Sequence, residues 1–259
     1  MTKLALCVGI NDYPGSGSDL YGCVNDAYDW GAALSNRGYE IKYLIDGAAT
    51  KAAIHQALLD SREKLRWRDK FVFQFSGHGT WMPDADGDEA DGRDEALCCY
   101  DYASGGLLKD DELQSIFGGF RWGVSSLIIS DSCHSGTIAR GLVPLTARAK
   151  FLSPADIDTI PVNERQAIRL EQKATTSTSR GKAVLMSGCD DPEYSYDANY
   201  GGRPNGAFTR VALDTLTALG ALTYRDWHTA IRGLLPSTSY PQSPQLQATY
   251  YQSKKVAFT

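Results

Sequence analysis

The chain has 259 residues, 42% hydrophobic and 22% charged, with a formal net charge of −5 at pH 7. That length buries a substantial core in one large domain or two small ones. The acidic balance argues against a general nucleic-acid binder, which needs a basic surface for phosphates, and suits a cationic ligand.

No apolar run approaches the roughly 18 residues that span a bilayer. The six cysteines (7, 23, 98, 99, 133, 189) lack the spacing of a disulfide framework, so a reducing cytoplasm is the expected compartment. Residues 3–10 are apolar and strand-like, too short for a signal peptide, and they run into the turn-rich Gly-Ile-Asn-Asp-Tyr-Pro-Gly. Residues 26–37 carry Ala27, Trp30, Ala33 and Leu34 at helical spacing, with Gly38 as a stop. Residues 39–45 alternate as a second strand. Thr50 is placed to cap a helix to about residue 65 that shows Ile54, Ala57 and Leu58 on one face. Residues 71–75 form a third strand, ending in Ser76-Gly77-His78-Gly79. The opening is thus β-α-β-α-β, a doubly wound pattern.

Residues 84–112 hold eleven Asp or Glu against Arg93 and Lys109. Composition alone reads this as a solvated loop, with a short helix opening at Asp110. Residues 124–130 are a β-branched apolar run that stops at a small-residue elbow carrying Cys133 and His134. Such a run reads as a buried strand of a parallel sheet. Residues 137–180 are rich in Pro, Ser and Thr and carry Arg or Lys at 140, 148, 150, 165, 169, 173 and 180. Loops this long are usually functional, and only 163–173 has helical character. A strand at 182–186, helices at 206–219 and 224–235 and a strand at 245–251 complete the chain.

Functional groups of parallel sheets gather beyond the carboxyl ends of the strands. His78 and Cys133 each follow such an end, where an imidazole can deprotonate a thiol. Glycines flank His78 and leave backbone N–H groups open to an oxyanion. His134 is the competing base, although neighbouring residues on an elbow point apart. A thiol phosphatase needs Arg six positions after its Cys, where this chain has Ala139. No C-x-x-C pair supports zinc.

Six segments in register carry a family resemblance: Cys7-Val-Gly-Ile-Asn-Asp-Tyr13, Gly22-Cys-Val-Asn-Asp26, Phe75-Ser-Gly-His-Gly79, Asp91-Gly-Arg-Asp-Glu95, Asp110-Asp-Glu-Leu113 and Asp131-Ser-Cys-His-Ser-Gly136. With them the chain resembles the caspase-like cysteine peptidases, and more closely the metacaspases and their bacterial relatives, the orthocaspases. Cys133 follows His78 by 55 positions, near the spacing of about 50 residues between these two groups in caspases. From about residue 180 onward the match is loose.

The resemblance implies one caspase-like α/β domain over 1–259, with a mostly parallel sheet of about six strands and helices on both faces. Residues 1–136 are the large-subunit-like part, 137–180 a basic linker open to self-cleavage, and 181–259 the small-subunit-like part. Cys133 is implied as nucleophile, His78 as acid/base partner, and the N–H groups of Gly79 and Cys133 as the oxyanion hole. Asp26 and Asp131, with Cys23 and Ser187, are implied to bind an Arg or Lys before the cut; a carboxylate pair selects such a cation. The chemistry needs no cofactor. Calcium is an open question as activator, since Asp94, Asp110 and Asp111 match ligand positions while Arg140 stands where a fourth carboxylate is expected. The expected partners are protein or peptide substrates and a regulatory protein, with no nucleic acid or membrane. Two other readings remain: a silent caspase-like scaffold that binds basic peptides, and a thiol acyl transferase with a neutral substrate, for which Asp26 and Asp131 would have no purpose.

Overall fold

The computed structural model describes residues 1–15, 17–83, 93–133, 144, 147–157, 183–190 and 193–259. The opening pattern holds. β1 (Lys3–Gly9), α1 (Cys23–Ser35), β2 (Glu40–Ile45), α2 (Lys51–Lys64) and β3 (Lys70–Ser76) follow in order. Thr50 caps α2 by accepting a hydrogen bond from the Ala53 amide at 3.2 Å, satisfying one of the helix's orphan donors.

A hairpin unit of β4 (Gly79–Pro83), β5 (Arg93–Cys98) and β6 (Leu107–Lys109) comes next, then α3 (Asp110–Gly118) and β7 (Ser125–Asp131). A short strand β8 (Arg148–Ala149) and a turn of helix α4 (Pro154–Ile157) come from the basic stretch. The last part supplies β9 (Ala183–Ser187), β10 (Tyr196–Tyr200), β11 (Arg203–Gly206), α5 (Ala207–Leu219), α6 (Tyr224–Arg232), β12 (Gln245–Gln247) and α7 (Tyr250–Ser253).

The main sheet has six strands in the order β12-β9-β7-β3-β1-β2. All neighbours run parallel except β12, which pairs antiparallel with β9. Strands from the 1–136 part and the 181–259 part therefore share one sheet. Alternation sorts the side chains into two cores. Leu4, Leu6 and Val8 of β1 and Phe71, Phe73 and Phe75 of β3 meet Ile54 and Leu58 of α2 and Phe117 of α3. Ala5, Cys7, Val72, Leu127 and Ile129 face Trp30 of α1, Phe208 of α5 and Trp227 of α6. Helices cover both faces, as a doubly wound sheet requires.

Two sequence expectations change. The acidic stretch is not all loop. Ala96, Leu97 and Cys98 are buried, and β5 pairs antiparallel with both β4 and β6. Residues 84–92 lie outside the described residues. The final strand is cut to three residues, because Thr249 accepts from the Gln252 amide (3.3 Å) and starts α7. The helix expected at 163–173, like most of 137–180, lies outside the described residues. Among the described residues no helix is long and apolar enough to cross a membrane.

The second core depends on aromatic packing. Trp30 is fully buried, 6.0 Å from the Trp227 ring and 6.3 Å from that of Phe258. Trp30→Ala should cost about 3–5 kcal/mol, the range for deleting a buried aromatic side chain. Denaturant titration should show the midpoint falling with its slope unchanged.

Candidate active site

β3 and β7 pair in parallel with Ser76 opposite Asp131. Each chain then runs two residues further, to His78 and to Cys133. The register alone therefore brings imidazole and thiol to one edge of the sheet. Both are buried, His78 at 4% exposure and Cys133 at 0%.

The imidazole is fixed by backbone. Its Nε2 lies 2.7 Å from the Ser18 carbonyl. A carbonyl only accepts, so Nε2 carries the proton and Nδ1 keeps its lone pair. Nδ1 is buried with no hydrogen-bond partner among the described residues. Tyr13 supports the same segment: its hydroxyl accepts from the His78 amide (3.0 Å) and donates to the Cys98 carbonyl (3.0 Å). Burial pushes the His78 pKa down to about 4, helped by Lys150 and Arg148 and opposed by the Ser18 carbonyl. Sequence reasoning missed Ser18 because a backbone carbonyl leaves no residue signature.

The Cys133 thiol accepts from the Ser195 amide and donates to the Ser195 carbonyl at 3.3 Å. Among the described residues no hydrogen bond joins it to His78. Cys189 lies beside it; a hydrogen bond to Cys133, together with burial, raises the Cys189 pKa well above the usual thiol value. All six cysteines are free and buried. His134 lies outside the described residues.

The structure brings Asp26 and Asp131 together around a lysine of the same chain. Asp26, in the first turn of α1, and Asp131, ending β7, are both fully buried. Between them lies Lys150, also fully buried, with Nζ 3.1 Å from each carboxylate and 2.8 Å from the Ser76 hydroxyl. Burial disfavours the ammonium, but Asp131 and Asp26 outweigh it and hold Lys150 charged well above its ordinary pKa. Burial likewise raises the Asp26 pKa, opposed by Lys150.

The remaining lone pairs are met by groups the sequence did not single out. Asp26 accepts from the Ser76 hydroxyl (2.7 Å), the Asn205 amide side chain (3.0 Å) and the Gly206 N–H (2.9 Å). Asp131 accepts from the hydroxyls of Ser195 (2.6 Å) and Thr209 (2.7 Å). Gly206 forms the floor, where an added Cβ would fall 2.1 Å from Asp131 and 2.4 Å from Lys150 Nζ. Cys23, at the start of α1, is fully buried, and burial raises its pKa well above the usual thiol value. Ser187, ending β9, donates to the Cys189 carbonyl at 3.3 Å and is not among the groups bonded to Lys150.

The Lys150 carbonyl completes the arrangement. It accepts from the N–H groups of Gly79 (3.0 Å) and Cys133 (3.2 Å). These are the two donors expected for an oxyanion.

The Asp94 carboxylate is buried and paired with the Lys109 ammonium, which places a cation where a metal would need bare oxygens. Asp110 and Asp111 open α3. Among the described residues no cluster of three or more His, Cys, Asp or Glu side chains could hold a metal ion. Arg140 lies outside them.

The depressed His78 pKa carries a stability consequence. The unfolded chain binds its proton near pH 6.5, the folded chain only near pH 4. Stability from this group is therefore full above pH 6.5 and is lost as pH falls towards 4. The loss between pH 7 and 5 should be about 2 kcal/mol. Urea titrations of wild type and His78→Gln at both pH values check this: the pH-dependent gap should shrink by that amount in the variant.

The Caspase domain family pattern matches residues 2–254. Metacaspase-1 of Cryptococcus neoformans var. neoformans serotype D is 31% identical over 295 residues, spanning 99% of this chain and 64% of that protein. Metacaspase-1 of Mycosarcoma maydis is 29% identical over 286 residues, spanning 96% of this chain and 70% of that one. The chain thus covers less than two thirds of the first relative's length. The crystal structure of protein GSU0716 from Geobacter sulfurreducens superposes with a TM-score of 0.81 at 31% identity, covering 100% of this chain and 99% of the other. By sequence, and by a six-stranded sheet that sets His78 and Cys133 at one edge, this chain belongs to the caspase domain family.

Proposed function

We propose that the protein is a cysteine endopeptidase that cleaves after Lys or Arg, with Cys133 as nucleophile and His78 as its acid/base partner. One observation carries this reading: a lysine lies with its ammonium between Asp26 and Asp131 while its own carbonyl rests on Gly79 and Cys133 N–H. A peptide carbonyl held there has its carbon presented beside the thiol and its oxygen where negative charge will develop. The neutral Nδ1 of His78 receives the thiol proton as the sulfur attacks. The imidazolium then protonates the leaving amine, and the same nitrogen activates the water that hydrolyses the thioester. For the first transfer, the thiol must leave its hydrogen bonds to Ser195.

The carboxylate pair sets the specificity. A neutral side chain would leave two buried carboxylates without a cation, and an acidic one would add a third negative charge. The neutral-substrate acyl transferase reading leaves this pair unexplained.

Matched fluorogenic peptides ending in Arg, Lys, Asp or Ala test the proposal. Arg and Lys peptides should be turned over, Asp and Ala peptides should not, and Cys133→Ala should abolish turnover. Binding without turnover would favour the scaffold reading, and cleavage after Asp would overturn the pocket assignment. Asp131→Asn should lower kcat/KM for the Lys peptide by about 10²- to 10³-fold, the usual cost of uncoupling a buried charge pair. Because Lys109 holds Asp94, we also propose activity independent of calcium, so adding a chelator should leave the rate unchanged.

A further inference from the structure

Ser195 touches three parts of the site at once. Its amide donates to the Cys133 sulfur, and its carbonyl accepts from the same thiol at 3.3 Å. That carbonyl also accepts from the Lys150 amide at 2.9 Å. Its hydroxyl donates to Asp131 at 2.6 Å. Thiol, pocket carboxylate and the backbone of the lysine in the pocket are therefore all placed against one fully buried residue. Ser195 leads into β10, which belongs to the small β11-β10-β8 sheet and not to the main one. Asp131 and Cys133 instead come from the end of β7 in the main sheet. A link between the two sheets has to hold Ser195 against them.

Gln242 supplies that link. It is fully buried, on the chain that leads into β12, the antiparallel edge strand of the main sheet. Its Nε2 donates to the Gly188 carbonyl (2.8 Å) and to the Ser195 hydroxyl (3.2 Å), and its Oε1 accepts from the Tyr196 amide (3.1 Å). A backbone N–H only donates and a carbonyl only accepts, so these partners fix which way the side-chain amide faces. Gly188 follows β9, and its own amide donates to the Ser130 carbonyl of β7 at 2.9 Å. An added Cβ at Gly188 would fall 2.7 Å from the Ser195 hydroxyl oxygen, so a glycine there lets the end of β9 and Ser195 come together. The amide also orients the Ser195 hydroxyl. Nε2 offers that oxygen a proton, and the hydroxyl's own proton is left to point at Asp131.

We propose that Gln242 is a positioning residue of the peptidase, aiming the Ser195 backbone at the Cys133 sulfur and the Ser195 hydroxyl at Asp131, so that nucleophile and pocket keep one register. The proposal rests on the cysteine endopeptidase reading and adds to it a residue that acts through Ser195 alone. Without the amide, the Ser195–Tyr196 backbone loses its tie to β9, and nothing directs the Ser195 hydroxyl proton to Asp131. The sulfur then loses the fixed donor that sets its place beside the oxyanion donors. A substrate ammonium would still find Asp26 and Asp131, so the chemical step suffers more than binding does. A reacting atom misplaced by about 1 Å costs about 100-fold in rate.

The test uses the full chain and a fluorogenic Lys peptide, with active sites counted by a lysine chloromethyl ketone. Gln242→Met fills the same space without the amide. Its kcat per counted site should fall by about 10- to 100-fold, with KM little changed. Gln242→Glu adds a pH signature. As a carboxylate it would draw the Ser195 hydroxyl proton away from Asp131; protonated, it can donate to Ser195 as the amide does. Asp131, beyond Ser195, and Glu193, bonded to Ser243 at 2.9 Å, both disfavour that carboxylate, as does burial, so it should titrate between about pH 5 and 8. The kcat of this variant relative to wild type should therefore rise as pH falls through that range. The glutamate variant decides the matter if the methionine variant does not fold. Wild-type kcat per counted site in both variants, a change confined to KM, or a glutamate-to-wild-type ratio flat with pH would overturn the proposal and leave the proposed function standing. No turnover of any Lys or Arg peptide by wild type would overturn the peptidase reading, and this role with it.

Discussion

A fully buried ammonium between two fully buried carboxylates is the constraint around which the site is built. Moving such charges out of water costs several kcal/mol per ion unless their partners and remaining lone pairs are met. Separate parts of the chain meet them here, among them Ser195 just before β10. Ser76 comes from the end of β3, Asp26 from the start of α1, Asp131 from the end of β7, and Gly206 and Thr209 from the entry to α5. The third carboxylate nearby, Asp197, is raised to about pKa 6 by burial, with Lys150 pulling the other way. The one lysine thus answers an excess of negative charge. The pairing of this one cation is inseparable from the stability of this end of the sheet.

The same strand end carries the charge that would read the side chain and the thiol that would attack the backbone. Asp131 and Cys133 are two residues apart, and β7 is a central strand bonded on both sides. An extended chain advances roughly 3.3 Å per residue, so a lysine-length side chain can reach the first while its carbonyl stays by the second. The missing Cβ at Gly206 keeps the pocket deep enough for that reach, since any side chain there would displace the ammonium.

Much of this was legible in the sequence. The β-branched runs at 71–75 and 124–130, each ended by small residues, placed His78 and Cys133 at strand ends, because periodicity and turn chemistry are local signals. The hairpin in the acidic stretch was not legible: β5 begins with Arg-Asp-Glu, and only pairing with β4 and β6 makes it a strand. Lys150 was one of seven basic residues in an unpatterned segment. What distinguishes it is contact with Ser76, Asp131, Gly79 and Ser195, and no local pattern encodes these. The Ser18 carbonyl was invisible for the same reason, and Ser187, named for the pocket, bonds instead to Cys189.

Lys150 and Arg148 also bear on His78, the proposed acid/base group. Burial is the main cause of the low His78 pKa, but Lys150 and Arg148 push in the same direction. With a basic segment in the groove, an imidazolium at rest is therefore disfavoured, and a stable thiolate–imidazolium pair would have to form against that field. In the proposed mechanism, the proton's arrival on Nδ1 becomes favourable only as negative charge develops on the carbonyl oxygen between Gly79 and Cys133 N–H. In the proposed mechanism, burial and the neighbouring cations thus keep the histidine neutral until the attack begins. That links proton transfer to bond formation and disfavours an ion pair prepared in advance.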